Sequence, residues 1–385
     1  MKNHNLHIVI YSELLEYGGG RETWLEYFLR GLIKEDYFHQ IWVHHLSPRL
    51  RTDSLCSTIE HICFNEINIG LPENNSSILN MFKFTRFIIS SLKNYTQKGD
   101  IVLFVGTGME SISAIATRVL LGGNIKILIW VRSIISGELM SRKSLIASRI
   151  AQKLEYWAFK SADKVIFNGQ DTREYYDNQY SDEADKYVTI VNAVKFDDFA
   201  ILDIPDFGET PYVIGYIGRF SREKGFDNLI DAANIIKELD RQYPIEIQVW
   251  GHGIDFNTLP PNIINHGSVA RDKVPQALSS CHVALFLNKC AKHEAGGLSH
   301  GLLEAMAAGR LIIAWENAGH GQVLDDSNAL LVPEGDIEQL ANMFTELCES
   351  DVEELIRKCK NARVTAKNYT VEAHLNKFLQ LVSTL

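Results

Sequence analysis

The chain has 385 residues and a formal net charge of −10, with 46% hydrophobic and 22% charged residues. This mixture is that of an ordinary soluble globular protein and excludes a disordered, collagen-like or low-complexity chain. No apolar run reaches the roughly 18 residues that span a bilayer, and the acidic excess argues against general nucleic-acid binding.

The excess is uneven. Residues 1–192 hold 21 basic and 21 acidic residues, so residues 193–385 carry the whole −10. In chain order, the run Leu6–Tyr11 is too short for a signal-peptide core and stops at Ser12-Glu13, so it reads as the first strand. Further strand-like runs are Gln40–His45, Ile101–Val105, Lys126–Val131, Lys164–Phe167 and Tyr187–Val191. In the second half they are Tyr212–Ile217, Ile245–Trp250, Ile263–His266, His282–Leu287, Arg310–Ala314 and Ala329–Val332. Several are almost unbroken Val, Ile, Leu and Phe, as strands buried on both faces must be. Alternation with helical patterns predicts βαβ units and parallel sheets. Twelve strands are many for one sheet, so two doubly wound domains are expected.

The stretch Lys195–Pro211 is acidic, holds two prolines and lacks clean periodicity, which marks the boundary. The expected division is 1–195, 196–369 and a terminal helix over 370–385. Asp336–Leu385 reads as helical, with breaks near Ser350–Asp351 and Tyr369–Thr370. The six cysteines form no Cys-x-x-Cys pair, so reduced thiols in a cytoplasmic protein without structural zinc are expected.

Ligands of open α/β sheets bind beyond the carboxyl ends of the strands, so the loops that follow strands are the places to search. After the first strand comes Gly18-Gly19-Gly20, at the start of a helix, where backbone amides can approach an anion. After Tyr212–Ile217 comes Gly218-Arg219-Phe220-Ser221-Arg222-Glu223-Lys224-Gly225. Arg219 and Lys224 beside a helix N-terminus suit a pyrophosphate, since both favour negative charge. A third loop, Lys292 to Gly309, is glycine-rich and leads into a helix whose buried stripe is Leu302, Leu303, Ala305 and Met306. Glu304 on that helix needs a polar partner, which two sugar hydroxyls could supply.

Together with Gly267-Ser268-Val269 and Val191-Asn192-Ala193, these segments resemble the family 4 glycosyltransferases over most of the chain. The resemblance implies the GT-B fold: two Rossmann-like domains facing a central cleft, an N-terminal one for the acceptor and a C-terminal one for the donor. It implies transfer of a sugar from a nucleotide sugar, with retention, to a glycan, lipid-linked or other glycoconjugate acceptor in cell-surface polysaccharide or lipopolysaccharide assembly. By the same resemblance, Arg219 and Lys224 hold the donor diphosphate and Glu304 the ribose. Gly218 belongs to the diphosphate loop. Gly297, Leu298 and Ser299 face the diphosphate and sugar, as do Gly19 and Gly20 from the other domain. Gly267 and Val269 lie by the base. No metal cofactor is implied, because Arg and Lys do a cation's work, and no Asp-x-Asp triplet is present. The terminal helix is expected to brace the N-terminal domain.

Two positions depart from the family pattern. The family motif has two glutamates eight residues apart, but Gly296 stands eight before Glu304 and Glu294 ten before. Either an insertion lets Glu294 reach the sugar, or that function is lost. Many members have a histidine where this chain has Arg132, which is a candidate for the donor sugar or an acidic acceptor, or is structural.

Two other readings remain. Gly297-Leu298-Ser299-His300-Gly301 fits the nucleophile elbow of an α/β-hydrolase with Ser299 as nucleophile. A non-catalytic GT-B partner or nucleotide-binding subunit would retain the fold without transfer. Finally, Lys83, Arg86 and Lys93 lie in a basic, aromatic-rich stretch that suggests docking on an anionic membrane. The protein would then be peripheral at the inner face of the cell membrane. In a second such stretch, Arg142–Lys164, the apolar residues are expected to pack on the sheet.

Overall fold

The computed structural model describes residues 4–14, 20–47, 54–68, 78–141, 144–239, 244–253, 259–289 and 297–385. They form two compact units. The first runs to Asn192 and also includes Gly297 and His374–Leu385; the second runs from Ala193 to Ala373 apart from that loop.

Unit 1 contains β1 (Leu6–Val9), β2 (Ile41–Leu46), β3 (Cys63–Ile67), β4 (Ile101–Val105), β5 (Lys126–Val131), β6 (Lys164–Phe167) and β7 (Tyr187–Thr189). Unit 2 contains β8 (Tyr212–Ile217), β9 (Ile245–Trp250), β10 (Ile263–Asn265), β11 (Val283–Phe286), β12 (Leu311–Glu316) and β13 (Leu330–Pro333). The helices are α1 (Gly20–Glu35), α2 (Ile78–Tyr95), α3 (Met109–Leu121), α4 (Ile135–Ser141), α5 (Leu145–Ser161), α6 (Gln170–Gln179) and α7 (Phe196–Ala200). They continue with α8 (Phe226–Glu238), α9 (Val274–Ser279), α10 (His300–Ala307), α11 (Ile337–Glu346), α12 (Val352–Ala366) and α13 (Val371–Ser383).

Both sheets are parallel, ordered β3-β2-β1-β4-β5-β6-β7 and β10-β9-β8-β11-β12-β13. Each order reverses once, between β1 and β4 and between β8 and β11, which creates a switch point in each unit. Central strands are sealed by helices on both faces, and every residue of β4 is buried. Right-handed crossovers put α1 on one face of the first sheet and α2, α3 and α5 on the other.

The helix α13 packs on the α1 face. Its His374 accepts from Trp24 Nε1 at 3.1 Å and donates from Nδ1 to the Val191 carbonyl at 2.7 Å. Burial pushes the His374 pKa down to about 4. Phe378 meets Phe28 edge-on at 4.8 Å. Gly31 permits the approach, since a Cβ there would lie 2.0 Å from Leu375 Cδ1.

The structure adds one strand to the twelve expected, β3. It is an edge strand with only Ile67 buried, so it lacks the unbroken apolar run of a central strand. The acidic linker contains the short helix α7, and its end is pinned to unit 2: Arg363 Nη2 donates to the Leu202 carbonyl at 2.6 Å and Arg310 to that of Asp203.

Candidate active site

At the switch point of unit 2, β8 runs into the turn Gly218–Ser221, a 3-10 turn over Arg222–Lys224, and then α8. Hydrogen bonds fix this loop. Gly218 N–H donates to the Trp250 carbonyl at 2.9 Å, and Tyr216 Oη donates to the Arg219 carbonyl at 2.8 Å. Gly225, at φ +67, lies so close to the end of β11 that a Cβ would sit 2.1 Å from the Leu287 carbonyl oxygen. The segment after β11 is tied to the same loop. Lys289 N–H donates to the Glu223 carbonyl at 3.1 Å, and Lys289 Nζ pairs with Asp227 at 2.9 Å.

Arg219 is exposed and Lys224 partly buried. Burial, and then the neighbouring Arg219, push the Lys224 amine down to about 8, against the opposing pull of Glu223. Among the described residues neither cation is in an ion pair.

Across the switch point, α10 follows β11. Leu302, Leu303, Ala305 and Met306 are fully buried, as the apolar stripe requires. Glu304 is buried with them at 2% exposure. Its carboxylate takes both terminal amino groups of Arg271: Nη1 donates to Oε2 at 3.1 Å and Nη2 to Oε1. A bidentate guanidinium fixes both the plane and the position of a carboxylate. Arg271 stands in a 3-10 turn directly after the segment Gly267–Val269. In that segment the Gly267 N–H donates to Asn265 Oδ1 at 2.9 Å, its carbonyl accepts from Gly251 N–H at 2.8 Å, and Val269 packs on Trp250, Ala277 and Cys281.

The sequence reading missed Arg271. The signal for it was indirect: a carboxylate on an apolar helix demanded a partner, but its identity depended on the fold.

The other expected residues are distributed as follows. Leu298 is buried, and Ser299 is the N-cap of α10. Ser299 lies well beyond the end of β11 at Phe286, whereas a nucleophile elbow needs its strand to run straight into the turn. Gly297 belongs to unit 1, where its N–H donates to Asp171 Oδ2 at 3.2 Å. Gly20 opens α1. Gly19, Glu294 and Gly296 lie outside the described residues.

Arg132 follows β5 in unit 1. Its Nη1 donates to Asn192 Oδ1 at 2.9 Å, and its guanidinium lies 4.9 Å from the centre of the Trp24 ring. Among the described residues its buried Nε has no hydrogen-bond partner. Burial, followed by repulsion from Arg21, lowers its pKa to about 9. Lys83, Arg86 and Lys93 are exposed on α2, whose Phe84, Ile88 and Leu92 are spent on the core.

Residues 211–350 match the model of the family described as glycosyl transferases group 1. An uncharacterized glycosyltransferase of Methanocaldococcus jannaschii is 26% identical over 230 residues, 54% of this chain and 56% of the relative. Poly(ribitol-phosphate) alpha-N-acetylglucosaminyltransferase of Staphylococcus aureus is 24% identical over 218 residues, 54% of this chain and 41% of the relative. The chain thus spans about half the length of the curated relatives it matches. Anabaena HepE, solved with UDP and with UDP-glucose, superposes with a TM-score of 0.73 for the UDP complex, at 18% identity over 100% of both chains. With its two parallel Rossmann-like sheets and these neighbours, the chain has the GT-B fold.

Proposed function

We propose that the protein is a glycosyltransferase that moves a sugar from a nucleotide-sugar donor to a glycan, lipid-linked or other glycoconjugate acceptor, with retention at the anomeric carbon. The observation that carries this reading is the pair Arg219 and Lys224 at the switch point of unit 2, one of them desolvated, with no carboxylate paired to either among the described residues. Two cations so placed are short of an anion, and a diphosphate supplies it. When the glycosidic bond breaks, the leaving nucleoside diphosphate gains charge. Fixed cations stabilise that charge more than the ground state, which is what lowers a barrier. They do so without a metal ion, so transfer is expected to persist in a chelator.

Glu304, held in plane by Arg271, is assigned to the ribose hydroxyls, with Gly267 and Val269 beside the base and the amides of Leu298 and Ser299 toward the diphosphate and sugar. Gly297 and Gly20, which belong to unit 1, keep their assignment to the donor from the family resemblance alone. Gly19, and Glu294 as the replacement for the missing first glutamate, keep theirs from the family resemblance alone. Arg132 is assigned to an acidic acceptor group. UDP and UDP-glucose in HepE support a uridine donor, and the poly(ribitol-phosphate) named for the Staphylococcus relative supports a polymeric acceptor. Retention rests on the resemblance to family 4.

The test is a thermal-shift panel of UDP, GDP, ADP and their sugars on wild type and Glu304→Ala. A ligand at about 100 times its Kd stabilises the native state by about 2.7 kcal/mol. One nucleotide series should raise Tm by several degrees, and Glu304→Ala should reduce the shift. No shift with any nucleotide, together with no sugar transfer, would put the non-catalytic reading in its place.

A further inference from the structure

The helix α5 has an outer face that the sheet does not use. Ile146 is 78% exposed, Ile150 55% and Trp157 53%. At about 100° per residue, these three and Lys153 fall within about 60° of arc. Arg149 and Lys160 lie beside them, and the whole strip spans about 100°. Arg149, Lys153 and Lys160 are all exposed. Lys160 Nζ lies 5.4 Å from the Trp157 ring centre, so cation and aromatic share one surface. The single carboxylate of α5, Glu155, is fully buried on the opposite side. Asp182, which accepts from Tyr156 Oη at 2.8 Å, and Glu183, which is paired with Lys186, are acids on the flank. The neighbouring end of α3, tied to the end of α5 by Arg118 Nε to the Ser161 carbonyl at 2.8 Å, leaves Val119 and Leu120 exposed as well.

The contrast with α2 is direct. There Phe84, Ile88, Ile89 and Leu92 fill the core, and among the described side chains of the helix only Phe82 and Tyr95 are exposed large hydrophobics. The α5 pattern departs in part from the one expected from sequence, in which the apolar residues of Arg142–Lys164 pack on the sheet: Ala158 and Phe159 do so, while Ile146, Ile150 and Trp157 do not.

We infer that α5 docks unit 1 on an anionic lipid bilayer, lying in the plane of the headgroups. Burying isoleucine and tryptophan in the interface removes apolar surface from water. The long basic side chains extend to lipid phosphates. Charge selects this occupant over a second copy of the chain. An isologous contact through the strip would set Arg149, Lys153 and Lys160 against the same cations of its mate, whereas anionic headgroups complement all three. The inference does not depend on the sugar-transfer reading, since its readout is vesicle binding.

The test is flotation of the full chain with phosphatidylcholine vesicles and with vesicles containing about a third phosphatidylglycerol. Binding to the anionic vesicles only, weakening as salt rises, is expected. Arg149→Gln/Lys153→Gln/Lys160→Gln should lower the vesicle partition by about a hundredfold, at ~1 kcal/mol per cation. Ile146→Ser/Ile150→Ser/Trp157→Ser should abolish it, with Tm held because these side chains are exposed. Lys83→Gln/Arg86→Gln/Lys93→Gln should retain it. Failure of the wild type to float, equal binding by the α5 variants, or equal loss in the α2 variant would each overturn the inference. So would a dimer in sedimentation that Ile150→Ser dissociates, which would hand the face to a second copy.

Discussion

Burial and the neighbouring Arg219 push the Lys224 amine down to about 8, so in the free protein it begins to lose its proton just above neutrality. A bound diphosphate favours the charged amine, raises its pKa, and makes binding take up a proton. By linkage, affinity then falls as pH rises through the free-state value, by up to about tenfold per unit above it. The expected outcome is a UDP Kd that weakens between about pH 7 and 9, measured by calorimetry, and a flat profile over that range in Lys224→Arg, where the guanidinium stays charged. An unchanged slope in the variant would remove Lys224 from the diphosphate site. Arg219 and Lys224 were legible in the sequence because they share one short loop after one strand. Arg271 was not, because its carboxylate partner is 33 positions away and only packing of the turn after β10 against α10 joins them.

Individual elements impose a different kind of constraint. The inner side of α5 carries Glu155, which accepts from Ser136 Oγ at 2.7 Å and from Ser136 N–H at 3.1 Å. The start of α4 is thereby braced on α5. Desolvation pushes the Glu155 carboxyl up to about 7, despite those hydrogen bonds. The folded state therefore holds a proton that the unfolded chain releases near the ordinary carboxyl pKa. Stability should fall as pH rises from about 4.5 to 7, by about 3 kcal/mol at 1.36 kcal/mol per unit. In urea titrations at pH 5 and pH 8, Glu155→Gln should lose most of that difference. Equal pH dependence in both proteins would show that another group carries it. The outer side of the same helix was misjudged from sequence for an equally physical reason. Period and composition give the angular position of Ile146, Ile150 and Trp157, but not which arc the sheet covers. The edge strand β3 escaped notice because partial burial leaves no continuous apolar signature.

At the scale of the whole molecule, the chain crosses between its units. Unit 1 takes its last helix from the far end of the sequence, with Trp24, Phe28 and Trp130 packed on His374 and Phe378. A fragment ending at Asn192 would expose that aromatic face to water. It should lose cooperative unfolding and bind a hydrophobic dye, while linking residues 371–385 back to it should restore a sharp transition. A fragment that unfolds cooperatively without them would show α13 to be dispensable for unit 1. The charge asymmetry belongs to this scale as well: it changes at about the residue where the units do, so the acidic excess lies with unit 2, which carries the Arg219 and Lys224 loop.

Sequence alone determined the two parallel sheets, because strands buried on both faces must be apolar throughout and crossovers between them must be helical. It also determined the cationic loop after β8 and the apolar stripe of α10, since each is written within one short segment. The family resemblance already implied that α13 braces unit 1, whereas two features were decided only by the tertiary structure: the partner of Glu304 and the exposed face of α5. Each depends on surfaces brought together across long sequence separations, where local periodicity says which residues share a side but not what that side meets.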